Sequence, residues 1–235
     1  MIKIIILNIL NFFDFFHKLK IIKFMKKNKV STKIVFDIGA HHGESLLLYC
    51  KNFKIESIYS FEPIYENFNK LENVKKKINK NYKTKVYLEN LACGEIEKNI
   101  EIQKLNESSS STIKKINFES KYFKKKNFFL NLKKNFTVSK IKQIKLSEYI
   151  KKKFINKIDF IKIDTEGYEL EVLKGLENDI KNVNCILFEH HYDNMINKGY
   201  KFSDINNLLL KNNFKQVLKL KMYFRKTFEY IYIKN

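Results

Sequence analysis

Short apolar runs alternate along this chain with stretches whose apolar positions recur every three or four residues. The runs Lys33–Asp37, Ile55–Phe61, Lys85–Asn90, Ile158–Asp164 and Val183–Phe188 read as strands. The stretches beginning at Glu44, Tyr65–Ile78, Tyr168–Leu176 and Ser203–Lys211 read as helices. Strand–helix alternation of this kind predicts an α/β fold with a mostly parallel sheet covered on both faces. Phe214–Leu220 and Thr227–Ile233 read as an antiparallel pair closing that sheet. The middle, Cys93–Lys142, is less regular. Ile96–Lys104 alternates like an extra strand, Glu107–Thr112 reads as a loop and Phe136–Ile144 as another strand. Lys121–Lys134 fits neither period.

The first residues need separate treatment. Ile4–Leu10 is apolar enough for a signal-peptide core, but no small-residue cleavage site follows. The stretch is also too short and interrupted to span a bilayer. Residues 1–30 are therefore expected to form an amphipathic helical extension, with residues 31–235 as the main domain. A basic amphipathic helix lying on a membrane is the sharper alternative. Among 235 residues the hydrophobic share of 44% suffices for one core. Cys50, Cys93 and Cys185 are scattered, with no C-x-x-C pair. That argues against a disulfide framework or a structural zinc site and fits a reducing cytoplasm. The net charge of +21 points toward anionic partners, but Arg225 is the only arginine. Arginine is the better reader of phosphates and bases, so a solvated lysine coat is favoured over a nucleic-acid face.

Candidate chemistry begins at Val35–Glu44. An apolar run ends in Asp37, Gly39 and Gly43 follow, and a helix begins. About 25 residues later a second strand ends in Glu62. An α/β sheet builds a nucleoside pocket at such strand ends, and the second acid can accept hydrogen bonds from ribose hydroxyls. The competing readings are a turn-stabilising aspartate and a surface glutamate before Pro63. His41 breaks the G-x-G-x-x-G dinucleotide fingerprint, and the phosphate-cradling G-x-x-x-x-G-K-[ST] loop is absent. A cofactor without a pyrophosphate, S-adenosylmethionine rather than NAD or ATP, fits best.

Two further clusters end later strands. In Lys162–Glu169, alternation sends Lys162 and Asp164 to one side of the strand, and Gly167 allows a tight turn into the next helix. Carboxylates near an apolar core need a lysine, a substrate hydroxyl or a metal as partner; the bland alternative is a capped helix start. Glu189-His190-His191 ends the neighbouring strand, where a histidine can take a proton at neutral pH. Asp164, Glu189 and a histidine also offer donors to a divalent ion, but the spacing is not diagnostic, and no residue is assigned to a metal.

Phe36–Gly43, Phe61-Glu62-Pro63 and above all Ile158–Gly175 together resemble the FkbM family of S-adenosylmethionine-dependent methyltransferases. The serine run and Lys145–Ile150 resemble it too, and the order and intervals agree from about Ile34 to Glu189. The resemblance implies a class I methyltransferase fold: a Rossmann-like three-layer sandwich with seven strands, one reversed. It implies a cofactor site of Asp37, Gly39, Ala40, Gly43 and Glu62, and usually transfer to oxygen. Asp164, Glu166 and His191, in that order, are the candidates for taking the hydroxyl proton. The expected acceptor is a hydroxyl of a small molecule or a glycan, and the basic N-terminal helix suits a membrane-associated one at the inner face. The resemblance does not fix the oligomeric state. The competing function is RNA binding or RNA methylation through the basic surface. The single arginine and the absence of an Asn/Asp-Pro-Pro-aromatic motif argue against it, since Pro63 is the only proline.

Overall fold

A computed structural model describes residues 2–105, 111–130 and 137–235. Most of the predicted loop Glu107–Thr112, and the end of the Lys121–Lys134 stretch, lie outside the described residues.

Seven strands form the central sheet, in the order β11-β12-β9-β8-β1-β2-β3. They are β1 (Ile34–Ile38), β2 (Ser57–Phe61), β3 (Lys85–Glu89), β8 (Ile158–Ile163), β9 (Val183–His191), β11 (Phe214–Lys221) and β12 (Thr227–Lys234). β12 runs antiparallel to both of its neighbours, and the remaining pairings are parallel. This is the expected seven-stranded sheet with one reversed strand. The predicted closing pair exists, although the reversed strand sits inside the edge rather than on it. β8 is buried at all six positions, as a central parallel strand with both faces covered should be.

Helices α1 (Ile2–Lys27), α2 (Glu44–Asn52) and α3 (Tyr65–Asn81) cover one face. In α3, Leu71, Val74 and Ile78 recur at helical spacing and turn inward. Helices α5 (Leu146–Lys152), α6 (Glu169–Lys174) and α7 (Phe202–Lys211) cover the other. α1 buries Ile21, Ile22 and Met25 against the sheet, while its earlier turns run beyond that face.

The irregular middle forms a second, three-stranded sheet of β4 (Ala92–Gly94), β5 (Lys98–Lys104) and β7 (Thr137–Lys145). A two-residue pair, β6 (Lys115–Ile116) with β10 (Ile196–Asn197), lies beside it. The unassigned lysine- and phenylalanine-rich stretch supplies α4 (Lys121–Leu130), which packs against α1. Its period is masked because Phe128 and Phe129 face solvent while Phe123 is buried.

The strand order reverses between β1 and β8. The loops following these two strands therefore diverge and open a crevice at the carboxyl end of the sheet, where α/β proteins bind ligands.

Candidate active site

The loop after β1 is built from left-handed residues. Gly39, His41 and Gly43 have φ of 78°, 50° and 85°. The Gly39 and Ala40 amides donate to the Phe61 carbonyl, each at 3.0 Å, which ties the loop to the end of β2. A Cβ on Gly39 would lie 1.9 Å from the Asp164 carbonyl oxygen, so only glycine fits where the two diverging loops touch. Glu62 is buried at the end of β2. Its carboxylate accepts from the His41 amide at 2.9 Å, the Ile64 amide at 3.0 Å and, more weakly, Asn67 Nδ2 at 3.3 Å. Burial pushes its pKa up against those bonds. His41 and His42 stack at 3.7 Å, and His42 Nε2 meets Asn67 Oδ1 at 3.0 Å, so both help to shape the loop.

Lys162 joins this loop to the next cluster. Its buried ammonium lies 3.2 Å from Asp37 Oδ1 and 3.2 Å from Asp164 Oδ2. It also donates to the Gly39 carbonyl at 3.0 Å. Asp37 is wholly buried, and its oxygens make no aligned hydrogen bond, so the Lys162 charge is what compensates it. Burial raises the Asp37 pKa more than Lys162 lowers it. Asp164 is about a third exposed, through the crevice. Burial is the largest single influence and raises its pKa, yet the charge and hydrogen bond of Lys162 together leave it below the usual range. Lys162 itself is held protonated by the two carboxylates in spite of its burial.

The turn after β8 is pinned from within its own motif. Buried Glu169 accepts from the Thr165 amide and hydroxyl, each at 3.2 Å, and from the Gly167 amide at 3.0 Å. The Tyr200 hydroxyl donates to its other oxygen. Thr112 Oγ1 donates to the Glu166 carbonyl at 2.6 Å. Glu166 is thereby held at φ 50°, a left-handed conformation rare outside glycine. The side chain so presented lies with its Oε2 3.2 Å from His191 Nε2; Glu189 Oε1 lies 3.1 Å from the same nitrogen. His191 Nδ1 meets Thr227 Oγ1 at 3.1 Å. The carboxylates overcome burial and raise the His191 pKa well above its ordinary value. Burial, and then the charge of Asp164, push Glu189 up to about 7. Glu166, Glu189 and His191 place three donor atoms within 4.8 Å of one another, a set able to hold either a shared proton or a divalent ion. His41, His42 and Glu44 form a second, more exposed set.

These groups face one cavity of about 1110 Å³. Small-ligand pockets usually run about 300–1,000 Å³, so the space admits more than one small molecule. Gly39, Ala40, Glu62, Asp164, Glu166, Glu189 and His191 line it; Asp37, Gly43 and His190 do not. Reasoning from the motifs missed the opposite wall, which comes from α1. There His17 Nε2 meets Glu229 Oε2 at 2.5 Å, Arg225 Nη2 donates to Asp14 Oδ2 at 2.6 Å, and Lys20 Nζ meets the Tyr223 hydroxyl at 2.5 Å. Polar residues recurring at Asp14, His17 and Lys18 among phenylalanines were the signal for that contact.

Residues 37–216 match the model of the methyltransferase FkbM domain, which is most of the chain. The chain belongs to the FkbM methyltransferase family. The family is one of S-adenosylmethionine-dependent methyltransferases, and this FkbM protein has the class I fold. Its structure is similar to a crystal structure of methyltransferase FkbM from Methylobacillus flagellatus, with a TM-score of 0.57 and 20% identity. That match covers 86% of this chain and 44% of the other. Magnesium protoporphyrin IX methyltransferase from Synechocystis, solved with S-adenosylhomocysteine bound, shares the fold at a TM-score of 0.50 and 6% identity, over 92% and 81% of the two chains. Hexuronic acid methyltransferase AglP of Haloferax volcanii is 41% identical over 51 residues, which is 22% of this chain and 21% of that protein. The chain thus spans less than half of the FkbM structure, and its aligned segment about a fifth of AglP.

Proposed function

We propose that this FkbM protein methylates a hydroxyl group, that the acceptor is a sugar, and that Glu189 with its partners Glu166 and His191 receives the hydroxyl proton. The observation that carries this reading is the cavity, which joins the Gly39–Glu62 side to the Asp164–His191 side in one space. The hexuronic acid methyltransferase AglP supports a sugar acceptor through its short aligned segment.

The residues fit the cofactor. A carboxylate has about four acceptor positions; Glu62 uses three on protein donors and keeps capacity toward the cavity for a ribose hydroxyl. The Asp37 oxygens, without aligned partners, supply negative charge beneath the loop. When bound, S-adenosylmethionine supplies a methyl group already activated by the sulfonium charge. The protein's own task is then chiefly alignment, which can contribute roughly 7–11 kcal/mol.

The proton needs a destination. Lys162 pairs Asp164 and keeps it a weak acceptor. His191 is held protonated between its carboxylates and has no vacant basic nitrogen at neutral pH. Glu189, near pKa 7, is the carboxylate matched to taking a proton there. This ordering differs from the one drawn from sequence, which placed Asp164 first and left Glu189 out.

Calorimetric titration of S-adenosylmethionine and S-adenosylhomocysteine into wild type and Glu62→Ala tests the cofactor half. The expected result is binding that Glu62→Ala weakens ten-fold or more, about 1.4 kcal/mol. A folded wild type that binds neither compound would overturn the reading. For the acceptor half, transfer of labelled methyl to uronic acids and neutral sugars should favour a sugar hydroxyl, and activity confined to amines or RNA would refute it.

A further inference from the structure

Around the mouth of the cavity the surface is apolar and basic together. The outward face of α1 carries Ile9, Phe12, Phe15 and Phe16, all exposed, nearly opposite the buried stripe of His17, Ile21 and Met25. α4 packs beside α1 and presents Phe128, 84% exposed, and Phe129. The turn between β11 and β12 adds Phe224, 71% exposed, which packs edge-on against Phe13 of α1. Ile9, Phe15, Phe129 and Phe224 also line the cavity, so the patch and the entrance are continuous. Large exposed apolar patches mark interaction sites.

The charge around the patch is predominantly positive, and exposed Glu119, just before α4, is paired with Lys124 at 2.8 Å. α4 carries Lys121, Lys124, Lys125 and Lys126 and no acidic residue. Lys221 and Lys226 flank the hairpin turn, and both are exposed. The one carboxylate on α1, Asp14, is already neutralised by Arg225. Among the described residues no helix is long and apolar enough to cross a membrane. Aromatic side chains at the tip of a surface ringed by lysines suit the headgroup region of an anionic bilayer, where rings bury their apolar edges and ammonium groups meet lipid phosphates.

We infer that this face, formed by α1, α4 and the β11–β12 turn, docks on a membrane surface bearing anionic lipid, so that the cavity opens toward acceptors carried by that membrane. The second clause rests on the cavity being the acceptor site; the docking itself does not. Docking brings a lipid-borne hydroxyl to the entrance without its leaving the bilayer, and the apolar rim covers the lipid part. Each lysine near such a surface strengthens binding about fivefold, so even a few make attachment depend on lipid charge.

Flotation of the full chain with phosphatidylcholine vesicles, with and without phosphatidylglycerol, tests the inference. No cofactor is added, so failure to bind S-adenosylmethionine leaves this result standing. Wild type is expected to float with anionic vesicles at least tenfold more than with neutral ones, and to be released by salt. The variant Phe12→Ser/Phe16→Ser/Phe128→Ser should lose most of that binding while keeping its urea midpoint and its S-adenosylmethionine affinity. The chain has no tryptophan, so Phe128→Trp gives a single reporter whose emission should shift blue on anionic vesicles only. Equal flotation on both vesicles with no blue shift would overturn the inference. So would a dimer in light scattering that the triple variant dissolves, without vesicle binding, because the patch would then belong to a second copy of the chain.

Discussion

Replacing Lys162 with methionine strips the charge from between β1 and β8 while keeping the length of the side chain. Breaking a buried ion pair by removing one partner usually costs about 3–5 kcal/mol, because the remaining charge is left uncompensated. Two carboxylates face Lys162, but they are not equally exposed to that penalty. Asp37 is fully buried, whereas Asp164 reaches the cavity and its water. Asp37 therefore sets the cost, and the lower end, about 3 kcal/mol, is expected at pH 7. For a chain of 235 residues each kcal/mol moves the melting temperature by roughly 2–4 °C, so a loss of about 6–12 °C follows. The direction with pH is fixed by linkage. Without Lys162 the folded-state pKa of Asp37 rises further above its unfolded value, so the folded state prefers the protonated acid. Stability lost at pH 7 should then return as pH falls toward the unfolded value. Thermal melts and urea titrations of wild type and Lys162→Met between pH 7 and 5 measure this. Adding Asp37→Asn to Lys162→Met should restore much of the loss at pH 7, since it removes the stranded charge. A Lys162→Met protein melting within about 3 °C of wild type at pH 7, with no narrowing at lower pH, would refute the assignment.

Glu189→Gln should lower turnover about 10²–10⁴-fold and remove the acid limb near pH 7 from the rate profile. The same change should stabilise the fold above pH 7: the pKa of Glu189 is raised by folding from 4.5 to about 7, so the wild type loses stability as pH rises through that window. Urea midpoints at pH 5 and 8 check it. Gly39→Ala should abolish cofactor binding in calorimetry and destabilise the fold, because the added Cβ meets the Asp164 carbonyl at 1.9 Å with φ at 78°. His17→Ala should free the early turns of α1 by removing its buried bond to Glu229, seen as faster proteolysis within α1 while the melting temperature changes by only a few degrees. Glu169→Gln should loosen the Thr165–Gly167 turn and raise the acceptor KM more than the cofactor Kd, read by steady-state kinetics beside calorimetry.

The placement of the Gly39–Glu62 side of the cavity was legible because its signals are local. Asp37, Gly39 and Glu62 each sit at the end of an apolar run, and their spacing alone places them at one edge of a sheet. Lys162 and Asp164 were legible as neighbours on one strand face, but their bond to Asp37 depends on β1 and β8 lying side by side, a pairing between segments more than 120 residues apart. The role of Glu169 was hidden for a related reason: the partners of one oxygen lie within four residues, yet only the folded turn points its carboxylate at them, and Tyr200, the partner of the other, lies 31 residues away. α4 escaped because its period is blurred by phenylalanines facing solvent. The α1 wall escaped because the partners of Asp14 and His17, Arg225 and Glu229, come from the far end of the chain.

That wall has a bearing on how the cavity can change. The matched family segment begins at Asp37, so the helix that forms this side of the cavity is encoded outside it. Substitutions in α1 can reshape one side of the cavity without disturbing the glycine turn or the Lys162 bridge. The two sides of the cavity are free to drift at different rates: under the proposed function one is held by a shared cofactor, and the other follows the acceptor. Exchanging the segment before Val35 between related enzymes would carry acceptor preference with it.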